Sequence, residues 1–273
     1  MEMKAIVLDL DGTLTNDAKE ITPRTLNALL DAQAQGLRVI LASGRPTYGI
    51  SALAEQLQIG RYGGYVLAFN GGRVIEWGSE PRILFDQTLE SALVPHLYQA
   101  AKSAGCEILT YQGEGIAASC VKDKYVLHEA FINKMPATLY DDFVNQVKYP
   151  INKCLIVGNP QRLIPLEKSL AVAYEGRLSV YRSAAFFLEC VPPGIDKAAS
   201  LSRLIETLGI KREELIAVGD GYNDLSMIEF AGLGVAMANA AREVQDAADY
   251  ITWSNQEDGV AHVVEKFFLK KNS

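Results

Sequence analysis

Short apolar runs rich in β-branched residues alternate with longer stretches whose apolar positions recur at helical spacing. That alternation predicts parallel strands joined by crossover helices. In the N-terminal part, residues 5–10, 38–42 and 65–69 read as strands, and 23–35 and 47–57 as helices, the first closed by Gly36. The C-terminal part repeats the habit, with helices over 197–208 and 224–231 and strands over 215–218 and 234–237. The two ends read as halves of one sheet.

Between them the pattern is more mixed. Residues 106–110, 125–127, 153–157 and 178–181 read as strands, and 91–104, 136–147 and 160–174 as helices. Gly71-Gly72 and Pro81 mark one edge of this region and Pro192-Pro193-Gly194 the other. The reading is an α/β chain. A Rossmann-like parallel sheet with helices on both faces is built from 1–82 and 189–273, and a smaller α/β domain is inserted over 83–188. There is no fixed-period repeat and no low-complexity tract.

A chain of 273 residues, 49% hydrophobic and 22% charged, can bury more than one core. Its 26 basic against 33 acidic side chains give a net charge of −7, which argues against broad capture of nucleic acid or of an anionic membrane. A small anionic substrate stays compatible where a metal neutralises its pocket. No apolar run approaches the ~20 residues of a membrane span. Met1 to Lys4 lead directly into the apolar Ala5–Leu8 without room for an export signal, and Lys270 and Lys271 simply end the chain. A cytoplasmic protein is expected. Cys106, Cys120, Cys154 and Cys190 form no C-x-x-C pair, and His96, His128 and His262 fall in no metal-binding pattern. Reduced thiols and a site built without histidine follow.

The candidate chemistry begins at Asp9-Leu10-Asp11-Gly12-Thr13, where the first strand ends. Ligands of open α/β sheets bind at strand C-termini, and carboxylates two residues apart leave a strand on one side. Gly12 permits the tight turn that brings backbone N–H groups to an anion. Alone, the segment fits a capped turn equally well; an EF-hand is disfavoured by Leu14 and by the missing further ligands. Ser43-Gly44-Arg45 follows the second strand, and as a lone Ser-Gly it is also a common turn. Lys197 opens a helix, and by itself it reads as a solvated lysine. Gly219-Asp220-Gly221-Tyr222-Asn223-Asp224 follows another strand, and capping accounts for one of its aspartates but hardly for both and Asn223.

Together these four segments, in this order, resemble the haloacid dehalogenase superfamily, and in particular its Cof-type sugar-phosphatase group with a type IIB cap inserted where this chain has its middle region. Val235–Ala240 and Ser254–Val260 resemble the same group. Ala198 and Ala238 stand where the family often has glycine. The resemblance implies an Mg²⁺-dependent phosphatase acting on a small phosphorylated metabolite, with hexose or pentose phosphates foremost. It implies Asp9 as nucleophile and Asp11 as general acid and base. Leu10, Gly12, Ser43, Gly44, Lys197 and Asn223 are implied around the phosphoryl group, and Asp9, Asp11 (through its carbonyl), Asp220 and Asp224 around the ion. Lys122, Lys124 and Tyr125 are candidates for cap contacts to the leaving group.

Competing readings are a hexose phosphomutase with the same cap, and a binding protein that keeps the fold without turnover. Having Asp9, Asp11, Lys197 and Asp220 together weighs against the binding protein, and an aspartate rather than the threonine of ion-pumping ATPases at position 11 favours hydrolysis or mutase chemistry. Gly113-Glu114-Gly115 loosely matches a dinucleotide fingerprint but opens no helix, so it reads as a hairpin turn. The whole reading requires Asp9 to lie within about one helix diameter, ~10 Å, of the Asp220–Asp224 cluster.

Overall fold

The computed structural model describes residues 3–269; Met1 and the Lys270–Lys271 pair lie outside them. In chain order the first elements are β1 (Ala5–Leu8), α1 (Pro23–Ala34), β2 (Arg38–Ala42), α2 (Thr47–Gln56), β3 (Tyr65–Ala68), β4 (Arg73–Glu76) and β5 (Arg82–Asp86). They are followed by α3 (Val94–Ser103), β6 (Glu107–Gln112), β7 (Gly115–Ala118), α4 (Lys124–Asn133), β8 (Ala137–Leu139), α5 (Phe143–Gln146), β9 (Cys154–Val157), α6 (Pro160–Ala173), β10 (Ser179–Ala184) and β11 (Phe187–Val191). The last are α7 (Lys197–Thr207), β12 (Leu215–Gly219), α8 (Leu225–Phe230), β13 (Leu233–Ala236), α9 (Arg242–Ala247), β14 (Tyr250–Ile251) and α10 (Gly259–Phe267). The chain forms two compact units: residues up to Phe85 together with those from Asp196, and Asp86–Ile195.

The first unit carries an eight-stranded sheet in the order β14-β13-β12-β1-β2-β3-β4-β5. The six strands from β14 to β3 run parallel, and β4 returns antiparallel to β3. β1 lies among them as the four-residue apolar run AIVL, buried along its whole length, as a strand covered on both faces must be. Ala5 and Val7 pack with Leu201, Leu204 and Ile205 of α7 and Met227 of α8. The alternate residues Ile6 and Leu8 are equally buried, on the face opposite. Thr22 and Asp196 cap α1 and α7 with side-chain oxygens, and Pro23 occupies the first turn of α1. Because the six strands are parallel, the segments after β1, β2, β3 and β12 leave the sheet along one edge.

The second unit carries a six-stranded sheet in the order β10-β11-β9-β6-β7-β8, antiparallel except for β7 with β8. One of its faces packs Ile108, Cys154, Ile156, Leu188 and Cys190 against Leu97 and Ala101 of α3, Phe143 of α5 and Leu163, Leu166 and Leu170 of α6. Gly113 turns the β6–β7 hairpin, as the sequence predicts for that segment.

Two predicted elements of this unit are corrected. Residues 125–127 lie in α4 rather than in a strand, because the Asp123 carboxylate accepts the N–H groups of Tyr125 and Val126 and starts a helix that buries Val126, Glu129 and Asn133 at helical spacing. Residues 136–147 are not one helix: Ala137–Leu139 pairs in parallel with β7, and only the short α5, capped by Asp142, remains helical. Strand pairing overrides local propensity there. The sequence pattern does not predict the strands β4, β5, β7, β11 and β14. Within the N- and C-terminal parts the predicted elements are present with ends shifted by a few residues at most.

Candidate active site

Asp9 is the first residue past β1, and its N–H still bonds Val218 O at 3.0 Å, which fixes its backbone to the β1–β12 ladder. The chain then turns within Leu10–Thr15, Thr15 N–H bonding Leu10 O at 2.9 Å and Leu14 N–H bonding Asp9 O at 3.2 Å. Gly12 has φ +87°, and a Cβ there would lie 2.3 Å from Asp220 Oδ2, so two separate requirements select glycine. Thr13 Oγ1 donates to Asp220 Oδ1 at 2.8 Å and ties this turn to the loop after β12.

That loop is organised by Asp224, which is fully buried. Its Oδ2 accepts the N–H groups of Asp220 at 3.0 Å and Gly221 at 2.9 Å, and its Oδ1 accepts Lys197 Nζ at 2.5 Å. Lys197, the first residue of α7, is 1% exposed and also donates to Asp9 Oδ1 at 2.7 Å and to Ala42 O at 2.9 Å. All three ammonium protons are therefore engaged. One carboxylate oxygen from each of Asp9, Asp220 and Asp224 falls within 4.8 Å of the others, well inside the separation that the sequence reading requires. Three carboxylates offer only hard oxygen donors, which fits a hard divalent cation. Both oxygens of Asp224 already accept hydrogen bonds, whereas Asp9 Oδ2 accepts none among the described residues.

The sequence profile of haloacid dehalogenase-like hydrolases matches residues 6–264. The chain belongs to that family. A Streptococcus pyogenes protein named as a phosphatase is 32% identical, the match covering 98% of this chain and 100% of that one. A 5-amino-6-(5-phospho-D-ribitylamino)uracil phosphatase of Bacillus subtilis is 28% identical over 98% of this chain and 97% of its own. A solved haloacid dehalogenase-like hydrolase from Bacteroides thetaiotaomicron superposes with a TM-score of 0.95 at 51% identity, covering 98% of this chain and 100% of that one.

In this family member Asp11 does not join the acidic cluster through its side chain. Its carboxylate accepts Arg45 Nε at 2.7 Å and Nη2 at 2.6 Å as a bidentate fork, and Lys19 Nζ at 2.8 Å. Arg45 is fixed in turn by Nη1 donating to Gly49 O at 3.1 Å. Lys19 sits in the short return of the loop after Asp11, at φ +63°, with its N–H on Asn16 O.

Charge environment separates the carboxylates. Burial pushes the Asp9 pKa well up and the neighbouring Asp224 adds to it, against the pull of Lys197. Burial likewise raises Asp220 to about 6, with Asp224 adding and the Thr13 hydrogen bond opposing. At Asp11 burial also acts upward, but the hydrogen bonds and charges of Arg45 and then Lys19 outweigh it and hold the carboxyl below the usual range. Lys197 is held protonated: burial opposes its charge, and Asp224 and Asp9 more than offset that.

Ser43 is buried, with its N–H on Leu67 O and its Oγ accepting Arg45 N–H at 3.2 Å. Asn223 is exposed and donates through Nδ2 to Asn70 Oδ1 at 3.2 Å. Lys124 and Tyr125 open α4 in the other unit and Lys122 lies just before its cap Asp123; Lys124 Nζ sits 4.7 Å over the Tyr125 ring and Tyr125 stacks on Phe186 at 5.1 Å.

Sequence reasoning assigned no role to Arg45, Lys19, Thr13, Asn70, Asn239 or Asn255. Asn239 Nδ2 bonds Gly12 O at 2.8 Å, Asn255 N–H bonds Asn239 Oδ1 at 3.0 Å, and Asn255 Nδ2 bonds Thr15 O at 3.1 Å, so both asparagines brace the Asp9–Thr15 turn. Arg45 directly follows Ser43-Gly44, and that adjacency is its signal in the sequence. Asn70 precedes the Gly71-Gly72 pair, whose sequence signal is only that of a domain edge.

Proposed function

We propose that this chain is a magnesium-dependent phosphatase that hydrolyses small phosphorylated metabolites, sugar and polyol phosphates foremost, through an aspartyl phosphate on Asp9. The observation that carries this reading is the convergence of Asp9, Asp220 and Asp224 within 4.8 Å around the buried Lys197. Three carboxylates and a phosphate dianion in one cleft need cations to coexist. Lys197 supplies one positive charge, and the donor set suits Mg²⁺ for the rest.

Asp9, Asp220 and the Asp11 main-chain carbonyl would hold the ion, which when bound neutralises charge on the transferring phosphoryl group. With both oxygens occupied, Asp224 fits a supporting role, orienting the loop of Asp220 and the Lys197 ammonium.

The Asp9 carboxylate attacks phosphorus and forms the acyl phosphate as the ester P–O bond breaks, and Asp11, which must first leave the Arg45 and Lys19 cations and take a proton from solvent, delivers that proton to the departing alcohol. Asp11 then takes a proton from water as the water oxygen attacks phosphorus, which frees Asp9 and yields inorganic phosphate. The N–H groups around Leu10–Gly12, with Ser43, Gly44, Lys197 and Asn223, are the candidate holders of the phosphoryl oxygens. Arg45 and Lys19 keep the Asp11 carboxylate in a fixed place, and Asp11 must exchange these partners for the leaving oxygen or the water.

The Bacillus subtilis relative's substrate name contains a phosphorylated ribityl chain, which supports an alkyl ester of the polyol type as the substrate class. A panel of phosphate esters with Mg²⁺, or with chelator, tests the proposal by release of inorganic phosphate. Chelator-sensitive release from sugar or polyol phosphates supports it. Isomerisation of a hexose phosphate without phosphate release points to a mutase, and no turnover of any ester points to a binding protein.

A further inference from the structure

We infer that Asn70 is a positioning residue for the phosphoryl site, acting by orienting Asn223; this rests on the phosphatase reading above. The turn after β3 holds three successive residues at left-handed backbone angles, Phe69 (φ +54°), Asn70 (φ +57°) and Gly71 (φ +95°). For a bulky residue such as Phe69 this conformation is strained, and such strain persists only where surrounding contacts impose it. The contacts are specific. Phe69 N–H bonds Arg45 O at 3.0 Å and Asn70 N–H bonds Ser43 O at 2.8 Å, so the turn grips the Ser43–Arg45 segment from both ends. Gly71 O accepts Ser200 Oγ at 2.9 Å, one turn along α7 from Lys197.

The Asn70 side chain, 9% exposed, is set between two of the candidate phosphate-binding residues. A Cβ on Gly44 would meet its amide at 3.3 Å, and its Oδ1 accepts Asn223 Nδ2 at 3.2 Å. An amide nitrogen carries two hydrogens. One is committed to Asn70, which fixes the amide plane of the exposed Asn223, and the other remains for an anion's oxygen. The left-handed turn thus presents a side chain that nothing in the local β3 pattern requires, at the point where it sets a neighbour's donor.

The test is Asn70→Gly, because glycine keeps the left-handed backbone without strain and deletes only the side chain. It is combined with Asn223→Ala and with the double substitution. Two quantities are read: the apparent affinity for inorganic phosphate, from its protection of the melting temperature in Mg²⁺, and KM against kcat for an ester that the wild type hydrolyses. The expected result is a loss of about 10-fold in phosphate affinity for Asn70→Gly, the value of one hydrogen bond of ordinary strength. The double variant should be no weaker than Asn223→Ala alone. Phosphate affinity of Asn70→Gly equal to wild type, or losses that multiply in the double variant, would overturn the inference. A wild type that hydrolyses esters while Asn70→Gly is unchanged sinks this inference alone, whereas a wild type that neither binds phosphate nor releases it sinks the phosphatase reading and this with it.

Discussion

Lys197 Nζ lies 2.7 Å from Asp9 Oδ1 although 188 residues separate them. The same ammonium reaches Asp224, so one buried cation balances two buried carboxylates. Replacing it with methionine keeps the volume of the stem and leaves both carboxylates unpaired, which typically costs about 3–5 kcal/mol. Without the ammonium the folded-state pKa of Asp9, which burial already pushes well up, rises further above its unfolded value. Stability is then retained at low pH and lost as pH rises. Lys197→Met should therefore lower the melting temperature more at about pH 8 than at about pH 5. Thermal denaturation at the two pH values checks this, and an equal drop at both would mean that the carboxylates are not what the lysine balances.

Asp9→Asn removes the proposed nucleophile and keeps the shape of the side chain. Because burial disfavours the Asp9 charge, the neutral amide should leave the metal-free fold at least as stable as wild type. Turnover should fall by at least about 10³-fold, as for other enzymes that lose a nucleophile. Phosphate release and thermal melting on one preparation separate the two effects, and near-normal activity would remove the covalent mechanism.

Arg45 makes a different prediction. The Asp11 side chain is 35% exposed, so its placement depends on the Arg45 fork and on Lys19 rather than on packing. Arg45→Ala should free that carboxylate and slow turnover of alkyl phosphates by roughly 10–100-fold, a partial loss that reaches only the lower end of the ~10²–10⁴-fold that positioned proton transfer contributes. Esters of p-nitrophenol, whose leaving group needs no proton, should lose less in the phosphoryl-transfer step, and Asp11→Asn should show the same substrate dependence more strongly. Burst kinetics with the two ester classes measure it. An equal loss for both classes would tie Arg45 to folding instead.

The core was legible from the sequence because its strands are continuous apolar runs and its site residues sit where those runs stop. Asp9, Ser43 and Asp220 could each be assigned to the end of a strand from pattern alone. Asp224 read as a candidate metal ligand, but its hydrogen bonds to two loop N–H groups and to Lys197 depend on loop geometry that spacing does not encode. Arg45, Lys19 and Asn70 act through side-chain directions set by left-handed or tightly turned backbone. The inserted unit was least legible. At Tyr125–Leu127 aromatic and β-branched residues suggested a strand, and a single capping aspartate, Asp123, tipped the balance to helix.

Asp220 supplies the pH signature of the proposed cation site. Burial raises it to about 6, so between its unfolded value near 3.8 and about 6 the folded state binds more protons than the unfolded one. Metal-free stability should therefore fall as pH rises through that window. A cation needs the ionised carboxylate and must displace that proton, so its binding weakens below the same value. Millimolar Mg²⁺ should raise the melting temperature clearly at about pH 7.5 and much less at about pH 5, and Asp220→Asn should remove most of the rise at the higher pH. Thermal melts with Mg²⁺ and with chelator at both pH values decide it. A shift that is absent at both, or equal at both, would remove Asp220 from the cation's ligands.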